Sequence, residues 1–72
     1  MTGIGEHVYV LWHDDMEPMG TPDMVSIHHS FAGATSAADV WKPGNWTYDG
    51  DGWEAPLARG ELLIITAEEL AP

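Results

Sequence analysis

The chain has 72 residues, with 12 acidic side chains against 2 basic ones (Lys42 and Arg59), a formal charge of -10 and no cysteine. That length allows one domain, and the lack of cysteine excludes disulfides and thiolate metal sites. The acidic surface repels phosphate backbones and anionic bilayers, which argues against direct nucleic-acid or membrane binding.

The hydrophobic fraction of 44% includes four Trp, two Tyr and one Phe, enough large side chains to build a core and too many for a disordered chain. Residues 1 to 12 lack a basic start, and the apolar run from Val8 to Trp12 is too short for a signal-peptide core. No stretch approaches the ~20 apolar residues of a membrane span. The expectation is a cytoplasmic protein.

In chain order, His7 to His13 reads as a strand rich in β-branched and aromatic residues. Alternation puts Val8, Val10 and Trp12 on one face and Tyr9 and Leu11 on the other, which predicts a central strand. Asp14 to Asp23 is a loop with the breakers Pro18, Gly20 and Pro22 and the acids Asp14, Asp15, Glu17 and Asp23. Met24 to Phe31 is a second strand, antiparallel to the first, with Val25, Ile27, His29 and Phe31 on one face and the more polar Ser26, His28 and Ser30 on the other. Ser36 followed by Asp39 predicts a short helix over Ala37 to Lys42, stopped by Pro43-Gly44.

Asn45 to Ala58 predicts a hairpin. Its arms are Trp46-Thr47-Tyr48 and Trp53-Glu54-Ala55, and its turn is Asp49-Gly50-Asp51-Gly52. Trp46 and Trp53 flank that turn symmetrically and are expected to pair across it or enter the core. Pro56 should put the second arm at an edge or end it. Glu61 to Thr66 is apolar on both faces, as a central strand would be. Thr66 followed by Glu69 predicts a last short turn ending at Leu70. The expected fold class is α+β: a small antiparallel sheet of three to five strands with one short helix on a face, in the order β-β-α-hairpin-β, as a single domain over 1–72.

Several of these stretches also carry a resemblance. The strand Val8-Tyr9-Val10-Leu11-Trp12-His13, the run from Val25-Ser26-Ile27 to Phe31, the helix around Ser36 to Trp41 and the closing Leu62 to Leu70 resemble a group of short bacterial and phage ββαβ proteins, a domain of unknown function. In that group a vYvL-x-H strand precedes a second strand, an S-x-x-x-A helix start and a final strand ending in eeL. The Trp46–Trp53 hairpin and the Pro-rich loop fall outside it. The resemblance implies the fold and brings no activity with it. Sparse Lys with abundant Ala, Gly, Asp and Trp also suits a high-GC genome, which suggests a phage accessory protein.

The four histidines are the first metal suspects. With the first two strands paired, His13 is expected near Met24 and His28 near Tyr9, with His7, His13 and His28 on one face. No H-x-x-x-H or H-E-x-x-H spacing supports a site. Asp49-Gly50-Asp51 begins like a calcium loop, but the fifth, sixth and twelfth positions hold Trp53, Glu54 and Gly60, so the stretch reads as a turn. Neither a paired-carboxylate cleft nor a nucleophile–base arrangement nor a phosphate loop is recognisable. A domain of this size has little room for a ligand pocket of ~300 Å³ or more. The expectation is a non-enzyme with no metal and no cofactor.

What remains is charge and aromatic surface. Asp14, Asp15, Glu17 and Asp23 in the Pro-rich loop, and Trp46, Asp49, Asp51, Trp53 and Glu54 in the hairpin, form two candidate binding edges. They suit a protein partner with a basic patch, such as a host protein. A free edge strand would also permit a homodimer. The alternative is a nucleic-acid mimic of the anti-restriction or anti-CRISPR type, whose carboxylates would have to stand in a row at phosphate spacing of ~7 Å or less.

Overall fold

The computed structural model describes residues 7–69. Along the chain come β1 (His7–Asp14), β2 (Asp23–His28), α1 (Phe31–Ala38), a 3-10 turn (Asp39–Trp41), β3 (Thr47–Tyr48), β4 (Gly52–Pro56) and β5 (Leu62–Glu69). The strands form one antiparallel sheet in the order β2-β1-β5-β4-β3, with α1 on one face. The fold is α+β. The two strands that are apolar on both faces, β1 and β5, lie side by side with partners on both edges.

Four local features differ from what the residue pattern predicts. The first is the helix, which starts at Phe31 rather than Ala37. Ser30 adopts an extended conformation, and its hydroxyl accepts the Gly33 N–H at 3.0 Å, satisfying one orphan donor of the first turn. That cap ends β2 at His28 and turns Phe31 onto the core. Ser36, the expected cap, instead lies inside the helix, and its carbonyl accepts the Asp39 N–H. The second difference is a bulge in β2. Leu11 faces Ser26 and Trp12 faces Met24, so Val25 is the extra residue. His28 stands opposite Tyr9 as expected, but His13 falls opposite Asp23 rather than Met24.

The third difference is at the end of β5, which continues to Glu69 instead of turning helical at Thr66. β1 offers a pairing partner as far as His7 opposite Glu69, and the Thr66 hydroxyl is held by the Trp12 indole. The end of the expected turn, Leu70, lies outside the described residues. The fourth is the hairpin, where Trp53 stands opposite Tyr48 rather than Trp46. Pro56 ends β4 as predicted, beyond the reach of the two-residue β3, and its carbonyl accepts the Gly44 N–H.

The core lies between α1 and the sheet. Leu11, Leu63 and Ile65 are fully buried against Ala34 and Ala38. Burying each of these aliphatic side chains contributes about 2 kcal/mol. Ala34 and Ala38 are one helical turn apart, and their small side chains let the helix backbone come close to the strands. Aromatic rings frame this layer. Phe31 packs at 4.7 Å from Trp53 and edge-on to Tyr9 and Trp46, while Tyr48 covers the outer side of Trp53 at 5.1 Å. Such pairs add about 0.5–1.5 kcal/mol each beyond their burial.

Candidate functional site

Side chains alternate across a sheet, and residues paired across a ladder share a face. Tyr9, Leu11 and His13 therefore share the helix side with Leu63, Ile65 and Trp53. The opposite side carries Val8, Val10 and Trp12 of β1, Met24 and Ile27 of β2, and Leu62 and Ile64 of β5. Both α1 and the 3-10 turn pack on the helix side, and among the described residues no helix covers the other face. Met24 and Ile27 are 58% and 56% exposed there. Trp12 is half-buried, and its indole Nε1 donates to the Thr66 hydroxyl at 2.9 Å, which draws the ring over the position paired with Val10. Val10 and Val8 are well shielded, whereas Trp12, Leu62 and Ile64 keep part of their surface in water.

The polarity of β2 is the reverse of the usual arrangement. Ser26 and His28 face the helix side, joined by a 2.7 Å hydrogen bond, and Ile27 faces outward. An edge strand with one solvent face normally turns its apolar residues inward.

This apolar face is edged by carboxylates. Glu68 stands opposite Val8 at one end, Asp14 opposite Leu62 at the other, and Glu54 opposite Ile64 on the β4 side. Both basic residues lie elsewhere: Lys42 follows the 3-10 turn, and Arg59 lines a cleft beside Trp41. The charged side chains that border the apolar face are thus all carboxylates.

The two acidic stretches singled out by sequence sit at opposite ends of the sheet. Asp14, Asp15, Glu17 and Asp23 occupy the β1–β2 end, where the Asp14 and Asp15 carboxylates accept the N–H groups of Met16 and Glu17 and shape the loop. Asp49 and Asp51 occupy the hairpin turn at the far end. The Asp49 carboxylate accepts the N–H groups of Asp51 and Gly52 at 2.9 and 3.0 Å. Those two donors, Asp51's foremost, hold its pKa below the ordinary aspartate value. Of the sequence-derived residues, only Asp14 and Glu54 border the open apolar face. Trp46 and Trp53 pack against the core. The residues missed were Trp12, Met24 and Ile27. Their signal was present in the apolar character of both faces of β1, but the bulge that brings Met24 and Ile27 to one face has no sequence mark.

The remaining polar groups do not converge. His13 stacks on Trp41, with the rings 16° from parallel, and its Nε2 lies 3.0 Å from Glu61 Oε1. His28 is engaged with Ser26. Among the described residues, no group of three or more His, Asp or Glu side chains is placed to share a metal ion. Trp41, Leu57, Ala58, Arg59 and Glu61 line a half-open cleft of about 260 Å³, below the usual range of small-ligand sites. No helix among the described residues is long and apolar enough to cross a membrane. The outer edge of β2 is unpaired among the described residues, but its bulge and Asp23 both discourage pairing with a second chain. No protein-family model, curated protein or solved structure matches the chain.

Proposed function

We propose that this protein is a non-catalytic, acidic protein-binding module whose partner is basic, and that it engages that partner through the sheet face opposite α1. The observation that supports this most is the combination on that face of exposed Met24 and Ile27 with a border of Glu68, Glu54 and Asp14 and no base. Exposed apolar area rimmed by polar groups is the usual form of a protein-interaction site. A uniformly negative rim speeds and selects a cationic partner. The partner is a protein of the cell in which this chain acts, as a host protein would be for a phage accessory protein.

The arrangement of the acids favours this reading over a nucleic-acid mimic. A mimic needs its carboxylates in a continuous row at phosphate spacing. Here the loop acids and the hairpin acids stand at opposite ends of a sheet whose β1 and β5 are each eight residues long, with apolar side chains between them. The test is capture from cell lysate on immobilised protein at low and high salt, with wild type and Ile27→Ser side by side. A basic protein retained at low salt by wild type and lost with Ile27→Ser is the expected result. Retention unaffected by Ile27→Ser would place binding elsewhere and remove the basis of the proposal.

A further inference from the structure

We infer that the occupant of this face is an amphipathic α-helix of the partner, about 15 residues long, with a Lys or Arg near each end on one side and an apolar stripe between. The inference rests on the binding-module reading above and adds the shape and spacing of what is bound.

The geometry comes from the register. Glu68 pairs with Val8, and Asp14 pairs with Leu62, at opposite ends of the same two strands. The six strand steps from Val8 to Asp14 cover about 20 Å. A helix rises about 1.5 Å per residue and turns once every 3.6 residues, so bases about 14 residues apart would lie about 21 Å apart on one side of it and meet both carboxylates at once. Between those ends, Ile27 and Val10 lie at one level of the sheet, and Met24, Trp12 and Ile64 lie at the next. An apolar stripe at i, i+3, i+4 and i+7 matches such a patch. Glu54 borders it on the β4 side, where a further base on the flank of the helix would fall.

A helix also suits the layer. α1 already covers the other face, so a second helix completes a sheet with both faces covered. A second copy of this chain is a poorer occupant, because it would bring another charge of -10 onto an already negative face. An added β-strand is also poorer, because the bulge at Val25 interrupts the regular edge it would need.

The probe is a synthetic helical peptide of about 18 residues, with a Leu/Ala stripe and Lys at two positions about 14 residues apart on the same side of the helix. Its control is a peptide of the same composition with the order scrambled. Titration into the full chain is followed by calorimetry and by amide chemical-shift mapping. The expected result is saturable binding with shifts concentrated on β1, β5 and β2. Affinity should fall at least about ten-fold in Ile27→Ser and in the double variant Asp14→Asn/Glu68→Gln. Asp39→Asn/Glu69→Gln removes the same charge from residues outside this face and should change affinity less than about two-fold. Far-UV circular dichroism of each variant shows that it is folded, and Met24→Ser repeats the test at a second exposed position.

Equal weakening by the two charge variants, or equal binding of the scrambled peptide, would reduce the effect to bulk charge attraction and overturn the inference. If the designed peptide fails to bind while wild type still captures a basic protein that Ile27→Ser loses, the helix is wrong and the binding-module reading stands. If neither binds, both fail.

Discussion

On the helix side of the sheet, Leu11, Leu63 and Ile65 have no exposed surface, whereas on the other side Met24 and Ile27 leave 58% and 56% of theirs in water. The two sides are built from the same strands and similar side chains. They differ in what else the chain supplies. α1 brings Ala34, Ala38 and Phe31 to one face, and the aromatic rings of Trp46, Tyr48 and Trp53 extend that layer toward the hairpin. Only Trp12, of all the large aromatics, is on the other face, and there a hydrogen bond to Thr66 holds its indole. The contrast teaches that the covered side holds the fully buried core, while the open side buries Val8 and Val10 and leaves its β2 margin, Met24 and Ile27, in water.

Single substitutions can break or sharpen this contrast. The largest effect is expected from Leu11→Ala, which opens a cavity under α1. It should lower the unfolding free energy by about 3 kcal/mol in urea denaturation, a large share of what a domain of this size possesses. A loss below about 1 kcal/mol would mean that the helix side is not the packed core.

Gly52→Ala is expected to rank next. A Cβ there would stand 2.5 Å from the Ile65 carbonyl oxygen, which is backbone and cannot rotate away. Moving β4 off β5 should cost about 2 kcal/mol, read as a fall in thermal midpoint. Ser30→Ala removes the cap that places α1 and should cost about 1 kcal/mol. An unchanged midpoint would show that packing alone sets where the helix begins.

On the open face, Ile27→Ser should shift stability by no more than about 0.5 kcal/mol while weakening partner binding strongly. Comparable losses in stability from Ile27→Ser and Leu11→Ala would erase the distinction between the faces.

The smallest effect concerns the hairpin. Asp49 has a folded-state pKa below its unfolded value. Its carboxylate therefore stabilises the fold at pH above the ordinary aspartate value, and that contribution disappears as pH falls through the lowered folded value. Thermal midpoints of wild type and Asp49→Ala should differ slightly at neutral pH, and the difference should shrink as pH falls through the lowered folded value. Asp49→Asn, which still accepts both N–H bonds, should lie between them.

Much of the fold was legible because the signals were local. Alternation with β-branched residues marked β1 and β5, the Asp-Gly pairs marked the hairpin, and Pro56 marked the end of β4. Two capping patterns misled. Ser36 with Asp39, and Thr66 with Glu69, both fit a helix start, but Ser30 captured the first helix and β1 held the second stretch as strand. A cap pattern offers one hydrogen bond, whereas continued pairing with β1 offers a ladder of them. For the candidate site, the sequence marked acids and tryptophans, yet most of the acids lie away from the open face and Trp46 and Trp53 stabilise the core.

By itself, then, the sequence determined a strongly negative, cysteine-free domain with two doubly apolar strands and an Asp-Gly hairpin, because charge, composition and side-chain period are properties of neighbouring residues. Which face of those strands receives the helix was decided only in the tertiary structure. It depends on a Ser30 cap that starts α1 early, on a bulge that turns Met24 and Ile27 to the same side, and on ladders that place Glu68 and Asp14 at the two ends of one apolar surface. The cap is local, but the ladders join residues far apart in the chain and the bulge shifts a register by one, and a one-residue shift exchanges the inside of a strand for its outside.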